Sequence, residues 1–257
     1  MPDTTLFEPI GHESVADAAV AQVEELIASG ILRQGQKLPS ERELADMLSI
    51  SRPKLREALQ TLEKRGLVTT KHGEGTFVSA LTGQAMLPAL LALYGRHEPA
   101  FFDYLEYRRE QERFAASLAA ARATKADKGR IAEILAQMEK AWEAKDDAAE
   151  AKVDYALHSA IVDASQNATL IHMMASVYEL TKQGVFYNRQ LLKSIDGSGK
   201  TLLDQHLALG RAIIDGDADA AAEVAKAHLD FVEQSFRTGI EQQRRELLAE
   251  KRRMLSE

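Results

Sequence analysis

The sequence predicts a mainly α-helical protein in two parts. A small N-terminal domain of three helices and a β-hairpin comes first, then a larger all-α helical bundle. Three observations predict this. Strand-like stretches occur only before residue 80, at "GILRQGQKL" and at "LVTTKHGEGTFVSA". Beyond about residue 84, apolar residues recur at helical spacing. Alanine-rich runs such as "FAASLAAARA" and "ADAAAEVAKA" have high helix propensity and allow close helix packing.

The first helix is expected over 12–29, with Val15, Ala19, Val23, Leu26 and Ile27 on its apolar face. Ser40 followed by Glu43 is a capping box, so a second helix starts at Glu41 and points Leu44, Ala45 and Leu48 inward. After the short turn "SIS", Ser51 can cap a third helix, and Pro53 suits its first turn. Leu55, Ala58, Leu59 and Leu62 form its core stripe. The hairpin follows, turning at Gly73 and Gly75. Bundle helices are expected at about 99–122, 125–144, 147–165, 168–195, 200–215 and 218–245, with Thr124 and Asn167 as caps and "DGSG" and "DGD" as turns. The domains are then 1–80, a linker and connecting helix at 81–97, the helical domain at 98–240 and a charged C-terminal tail at 241–257, read as a protruding or frayed helix.

Composition narrows the function classes. At 45% apolar and 28% charged, the chain suits a soluble protein with a real core. It has no cysteine, which excludes disulfides, thiolate zinc sites, iron–sulfur clusters and cysteine nucleophiles. No leader or membrane-length apolar run is seen, so a cytoplasmic protein is expected. The net charge of −7 argues against a general nucleic-acid coat but leaves room for one basic surface. Charge does vary locally: from Arg33 to Val78 there are nine Lys/Arg against six Asp/Glu, a small excess whose placement matters more than its sum.

Two short helices joined by a tight turn make a helix-turn-helix, and the hairpin behind them makes a wing. Ser51, Arg52, Lys54 and Arg56 lie at the start of the second of these helices, where a recognition helix meets base edges. Exposed amides and the positive dipole end there favour phosphate. Arg42 begins the preceding helix, and the wing tip "KHGEG" offers Lys71, His72 and Gly73. The competing reading is a solvated basic helix face with no partner. The segment resembles the winged-helix domain of the GntR family of bacterial transcription regulators. Over about 30–78 it carries "LPSERELADMLSISRPKLREALQTLEKRGLV" and "GEGTFV". It departs from the family pattern at Glu74, where glycine is usual, which should alter the wing tip modestly. The resemblance implies that Arg42, Arg52 and Arg56 contact double-stranded operator DNA, supported by Ser51, Lys54, His72 and Gly73, with Lys54 and Lys71 on phosphate. It also implies a homodimer on a short inverted repeat.

In the helical part, His158, His206 and His228 each fall on the apolar stripe of a different helix, and Asp154 sits one turn before His158. A lone histidine of this kind is an ordinary core residue bonded to a carbonyl or carboxylate. Three in one bundle must satisfy each other, and a divalent metal would satisfy three imidazoles and a carboxylate together. That donor set suits zinc, or nickel, manganese or iron(II) with further ligands; it suits calcium or magnesium poorly. Residues 98–236 resemble the all-helical FCD ligand-sensing domain of the FadR subfamily, whose metal-containing members carry these four ligands at the matching positions. By that resemblance Arg108 reaches a cavity for a small organic acid effector, with Asn188 and Arg189 as further candidates. The alternative for Arg108 is a surface arginine paired with Glu112. The branch resembled includes repressors responding to lactate, pyruvate or glycolate, which implies a 2-hydroxy or 2-oxo acid. Two other functions compete: a metal-dependent hydrolase, and a DNA-binding protein whose metal is purely structural. No H-E-x-x-H spacing supports the hydrolase.

Overall fold

Ser14 accepts a hydrogen bond from the Asp17 amide at 3.1 Å and so starts helix α1 (Val15–Ala28). This is the first element of the computed structural model, which describes residues 14–79, 97–182 and 198–254. The chain divides into two compact units, Met1–Leu81 and Thr82–Glu257. In the first unit, α1 buries Ala16, Ala19, Val20, Val23 and Ile27. Ala19, Val23 and Ile27 are the expected inward positions. Val15 is 52% exposed, because the 3.6-residue period that aligns Ala16, Val20, Val23 and Ile27 turns it outward.

Helix α2 (Glu41–Leu48) starts at the expected capping box: the Ser40 hydroxyl accepts from the Glu43 amide, and the Glu43 carboxylate accepts from the Ser40 amide. It ends at Ser49 in the left-handed conformation. Helix α3 (Arg52–Lys64) has Ser51 at its N-cap with extended backbone, but the Ser51 hydroxyl makes no cap hydrogen bond. Leu55, Ala58, Leu59 and Leu62 are buried as the stripe requires. Strands β1 (Val68–Lys71) and β2 (Gly75–Val78) pair antiparallel, with Val68 opposite Val78. The "QKL" stretch joins the other edge of β2: Lys37 bridges Phe77, and the Leu38 amide donates to Thr76 O at 2.8 Å. Leu38, Val68 and Val78 close one core with the three helices.

The second unit contains α4 (Glu98–Arg122), α5 (Lys125–Ala144), α6 (Asp147–Ala164), α7 (Ala168–Lys182), α8 (Ser198–Asp215) and α9 (Ala218–Met254). Thr124 and Asp127 form a capping box on α5, Asp146 caps α6, and Asn167 Oδ1 accepts from the Leu170 amide at the start of α7. The expected continuation of α7 to 195 lies outside the described residues. Helix α9 runs to Met254, nine residues past the expected end, and every residue from Glu241 to Met254 is exposed. The charged segment is therefore helix, held by i,i+4 pairs such as Gln242–Glu246. Among the described residues no helix is long and apolar enough to cross a membrane.

Helix α4 packs most extensively on α9, α5 on α6, and α8 on both α9 and α5. The packing produces two separate apolar clusters. One gathers Ala115, Ala116 and Ala119 with Ile131, Leu157, Ile213 and Ala225. The other gathers Phe101, Phe102, Leu105, Leu202, Val232 and Phe236. Residues 108 and 112 of α4 and 228 of α9 fall in sequence between the two, and 206 of α8 follows Leu202 of the second and Leu203 of the first. They are charged or imidazole-bearing, and all are buried. A buried polar group thus lies beside both apolar clusters.

Contact between α5 and α8 depends on Gly210, since a Cβ there would lie 2.6 Å from Leu135 Cδ1. We predict that Gly210→Ala lowers the thermal midpoint: overpacking costs about 1–3 kcal/mol, against a helix-propensity gain of about 1 kcal/mol. In a Leu135→Ala background the same change should become neutral or stabilising. A rise in the midpoint in the wild-type background would remove the steric account.

Candidate metal centre and nucleic-acid interface

Helix α6 carries Asp154 and His158 on one face, α8 carries His206, and α9 carries His228. The fold brings the three histidines together and sets Asp154 beside His206. One ring nitrogen from each histidine lies within 4.8 Å of the others. His206 Nε2 is 3.3 Å from both His158 Nε2 and Asp154 Oδ1. Ring centroids are 5.2 Å apart for His158–His206 and 4.4 Å for His206–His228. The three imidazoles are at most 3% exposed.

Burial and neighbours set the charge states. Burial lowers the His228 pKa well below its ordinary value, and His206, His158 and Arg108 lower it further, so the ring is neutral. Its Nδ1–H donates to Gln205 Oε1 at 3.1 Å, which leaves Nε2 as the lone pair. Burial raises the Glu112 pKa, but Arg108 and His158 outweigh it and bring the carboxyl down to about 2. Glu112 is therefore an acceptor-only carboxylate, and the His158 Nδ1 that lies 2.8 Å from its Oε2 is the donor. Its other oxygen accepts from Arg108 Nε.

These contacts correct the alternative reading of Arg108 as a surface residue. It does pair with Glu112, but not on the surface: both are buried, in the polar group that holds the histidines. Glu112 was missed as a site residue, although the signal was legible. Phe101, Leu105, Arg108, Glu112, Ala115 and Ala119 follow one 4-3-4-3-4 stripe, and two charges on an apolar stripe point inward. Tyr178 was also missed. Its ring lies 6.2 Å from that of His158 and 5.6 Å from the Arg108 guanidinium, and burial, then Glu112, pushes its hydroxyl pKa far up. Glu150, one turn before Asp154, is buried too, and shares with His206 a small cavity walled by Met138, Trp142, Val153 and Leu202. Asn188 and Arg189 lie outside the described residues.

The donor set fits a metal. Ligand nitrogens about 2.0–2.1 Å from a tetrahedral zinc stand about 3.3–3.4 Å apart, which matches the two 3.3 Å separations around His206 Nε2. Two of the rings set Nδ1–H against an acceptor, as metal-bound imidazoles do. Among the described residues the buried acids Glu112, Glu150 and Asp154 outnumber the one buried guanidinium, Arg108, an acid surplus that a dication suits.

In the first unit, Arg42, Ser51, Arg52, Lys54, Arg56, Lys71, His72 and Gly73 are all exposed. Arg56 Nε pairs with Glu41 at 2.8 Å, Lys54 with Glu57 at 2.9 Å and Lys71 with Glu74 at 4.0 Å. Among the described residues, Arg42 and Arg52 have no ion-pair partner. The wing tip accepts Glu74 because positive φ is needed at its neighbours Gly73 (+76°) and Gly75 (+114°), not at residue 74 itself.

Known proteins agree with both halves. Residues 15–78 match the model for bacterial regulatory proteins of the gntR family, and residues 103–231 match the FCD domain. A putative L-lactate dehydrogenase operon regulatory protein of Escherichia coli K12 is 33% identical over 235 residues, covering 90% of each chain. The HTH-type transcriptional regulator LutR of Bacillus subtilis is 37% identical over 210 residues, 81% of this chain and 94% of its own. The Glc operon transcriptional activator of E. coli K12 is 30% identical, covering 86% and 89%. A solved structure titled Streptococcus agalactiae GntR shares the fold with a TM-score of 0.55 at 23% identity, over 85% of this chain and 99% of that one. These relatives regulate transcription and are not enzymes, which sets the hydrolase aside. The chain belongs to the GntR family of bacterial regulatory proteins: it is a DNA-binding transcription regulator whose winged helix-turn-helix domain precedes an FCD domain.

Proposed function

We propose that this regulator is a cytoplasmic homodimer that represses from a short inverted repeat and is released by a small 2-hydroxy or 2-oxo acid bound at a metal in its helical domain. One observation supports the sensing half: three buried imidazoles have ring nitrogens within 4.8 Å of one another, and the Asp154 carboxylate lies 3.3 Å from one of them, His206. Asp154, His158, His206 and His228 would hold a divalent ion, with zinc the best fit to three nitrogens and one oxygen. Such an ion supplies a Lewis-acid anchor for a carboxylate and its neighbouring 2-oxygen. The names of the relatives, an L-lactate dehydrogenase operon regulator among them, support the acid class.

The chain's own residues would set selectivity. Arg108 offers a guanidinium to the carboxylate, and the neutral Tyr178 hydroxyl offers a donor without charge. Asn188 and Arg189 remain candidates by sequence position. Arg108 and Glu112 ride on α4, and His228 rides on the α9 that α4 packs against. A ligand preferring one α4–α9 packing would shift the dimer towards that state, and only a difference in affinity between states can do so. A metal that merely staples the bundle is the second reading. What favours it is closure: Arg108 is 3% exposed and already held by Glu112.

On the DNA, Arg42, Arg52 and Arg56 would read base edges, with Ser51, His72 and Gly73 in support and Lys54 and Lys71 on phosphate. Arg56 must leave Glu41 to do so, and Lys71 must leave Glu74.

Thermal unfolding of the zinc-loaded protein with L-lactate, D-lactate, glycolate and pyruvate separates sensor from staple. An acid at about 100 times its Kd stabilises by about 2.7 kcal/mol, which raises the midpoint of a chain this size by about 5–10 °C. The shift should vanish after chelation. No shift from any acid leaves the staple. On an operator obtained by selection from random duplexes, Arg52→Ala should cost about 1–3 kcal/mol and relax base preference at one position of each half-site. Lys71→Ala should weaken all sequences alike and reduce the salt slope by about 1. A uniform loss for Arg52→Ala, with base preference intact, would make it a phosphate contact instead.

A further inference from the structure

The four candidate ligands account for only part of the buried polar group. His158 and His228 sit on different helices, α6 and α9, yet each sets its Nδ1 against an oxygen acceptor. The acceptors come from elements that do not carry those rings. Glu112 on α4 meets His158 at 2.8 Å, and Gln205 on α8 meets His228 at 3.1 Å. Glu112 is itself fixed, since its second oxygen is held by the buried Arg108. Gln205 is adjacent to His206 in sequence, so α8 supplies a candidate ligand from one residue and an outer acceptor from the next.

We infer that Glu112 and Gln205 are positioning residues of this metal centre, which fix His158 and His228 as Nδ1–H tautomers and thereby present both Nε2 lone pairs to the ion. The inference rests on the metal reading above. The physical reason is specific to imidazole. A neutral ring has one N–H and one lone pair, and an acceptor on one side decides which nitrogen keeps the proton. Without the outer acceptor a ring can flip or change tautomer, and the cluster then receives an N–H where it needs a donor pair. The two acceptors differ in charge. Glu112 is anionic and also compensates Arg108, whereas Gln205 is neutral and does nothing for charge balance. Gln205 can therefore be changed without leaving a buried charge behind.

Two measurements on the full chain test this. In the first, zinc(II) affinity is measured by chelator competition for the wild type, Gln205→Leu and Gln205→Glu. Gln205→Leu removes the acceptor and should weaken zinc about 10–100-fold; Gln205→Glu keeps an acceptor and should restore wild-type affinity or better. In the second, nitrogen-15 spectra of histidine-labelled, metal-free wild type should show the proton on Nδ1 in both His158 and His228. This reading needs no variant to fold. Wild type that binds no zinc ends the metal reading itself. Wild type that binds zinc while Gln205→Leu binds it equally well, or an Nε2–H tautomer at either histidine, overturns the positioning role alone.

Discussion

Arg108, Glu112, Asp154, His158, His206 and His228 form one buried polar group in a helical bundle, and the arrangement of the second unit follows from having to satisfy them together. An ionised carboxylate inside a protein costs several kcal/mol unless it is paired and hydrogen-bonded. Glu112 meets that condition with both oxygens, one on Arg108 and one on His158. The pairing couples α4 to α6. The histidines extend the coupling to α8 and α9, so four helices are tied through one polar group. The apolar clusters beside it keep water from it and keep its electrostatics strong.

This arrangement gives the domain a part whose packing a small ligand can bias. A purely apolar core would offer a carboxylate nothing to bind. A surface cluster of histidines would hold a metal without engaging the helix packing. Placing the donors where α4, α6, α8 and α9 meet would make occupancy of the site a matter of bundle geometry.

Much of this was legible in the sequence. The capping boxes at Ser40 and Thr124 and the stripe Leu55–Ala58–Leu59–Leu62 placed the helices within a residue or two, because local hydrogen bonds and the helical period determine them. That the three histidines and Asp154 lie buried together could be anticipated too, because each histidine sits on an apolar stripe and three such imidazoles in one bundle must satisfy one another. What escaped was anything decided by a partner helix. Glu112 looked like a surface mate for Arg108 because i,i+4 spacing is the same on either face. Gln205 carried no signal, since its value lies in reaching a ring 23 residues away. Val15 was placed inward although the period through Ala16, Val20, Val23 and Ile27 turns it out, whereas the charged tail is the protruding helix expected, continuous with α9 to Met254.

The central claim is that the buried polar group is a metal centre built from three imidazoles and one carboxylate. X-ray absorption at the zinc edge of the zinc-loaded protein tests it most directly. The account predicts one zinc per chain, with the multiple-scattering signature of three imidazoles and light-atom ligands at about 2.0–2.2 Å. A first shell without imidazole scattering, or zinc that His206→Ala retains unchanged, would contradict it.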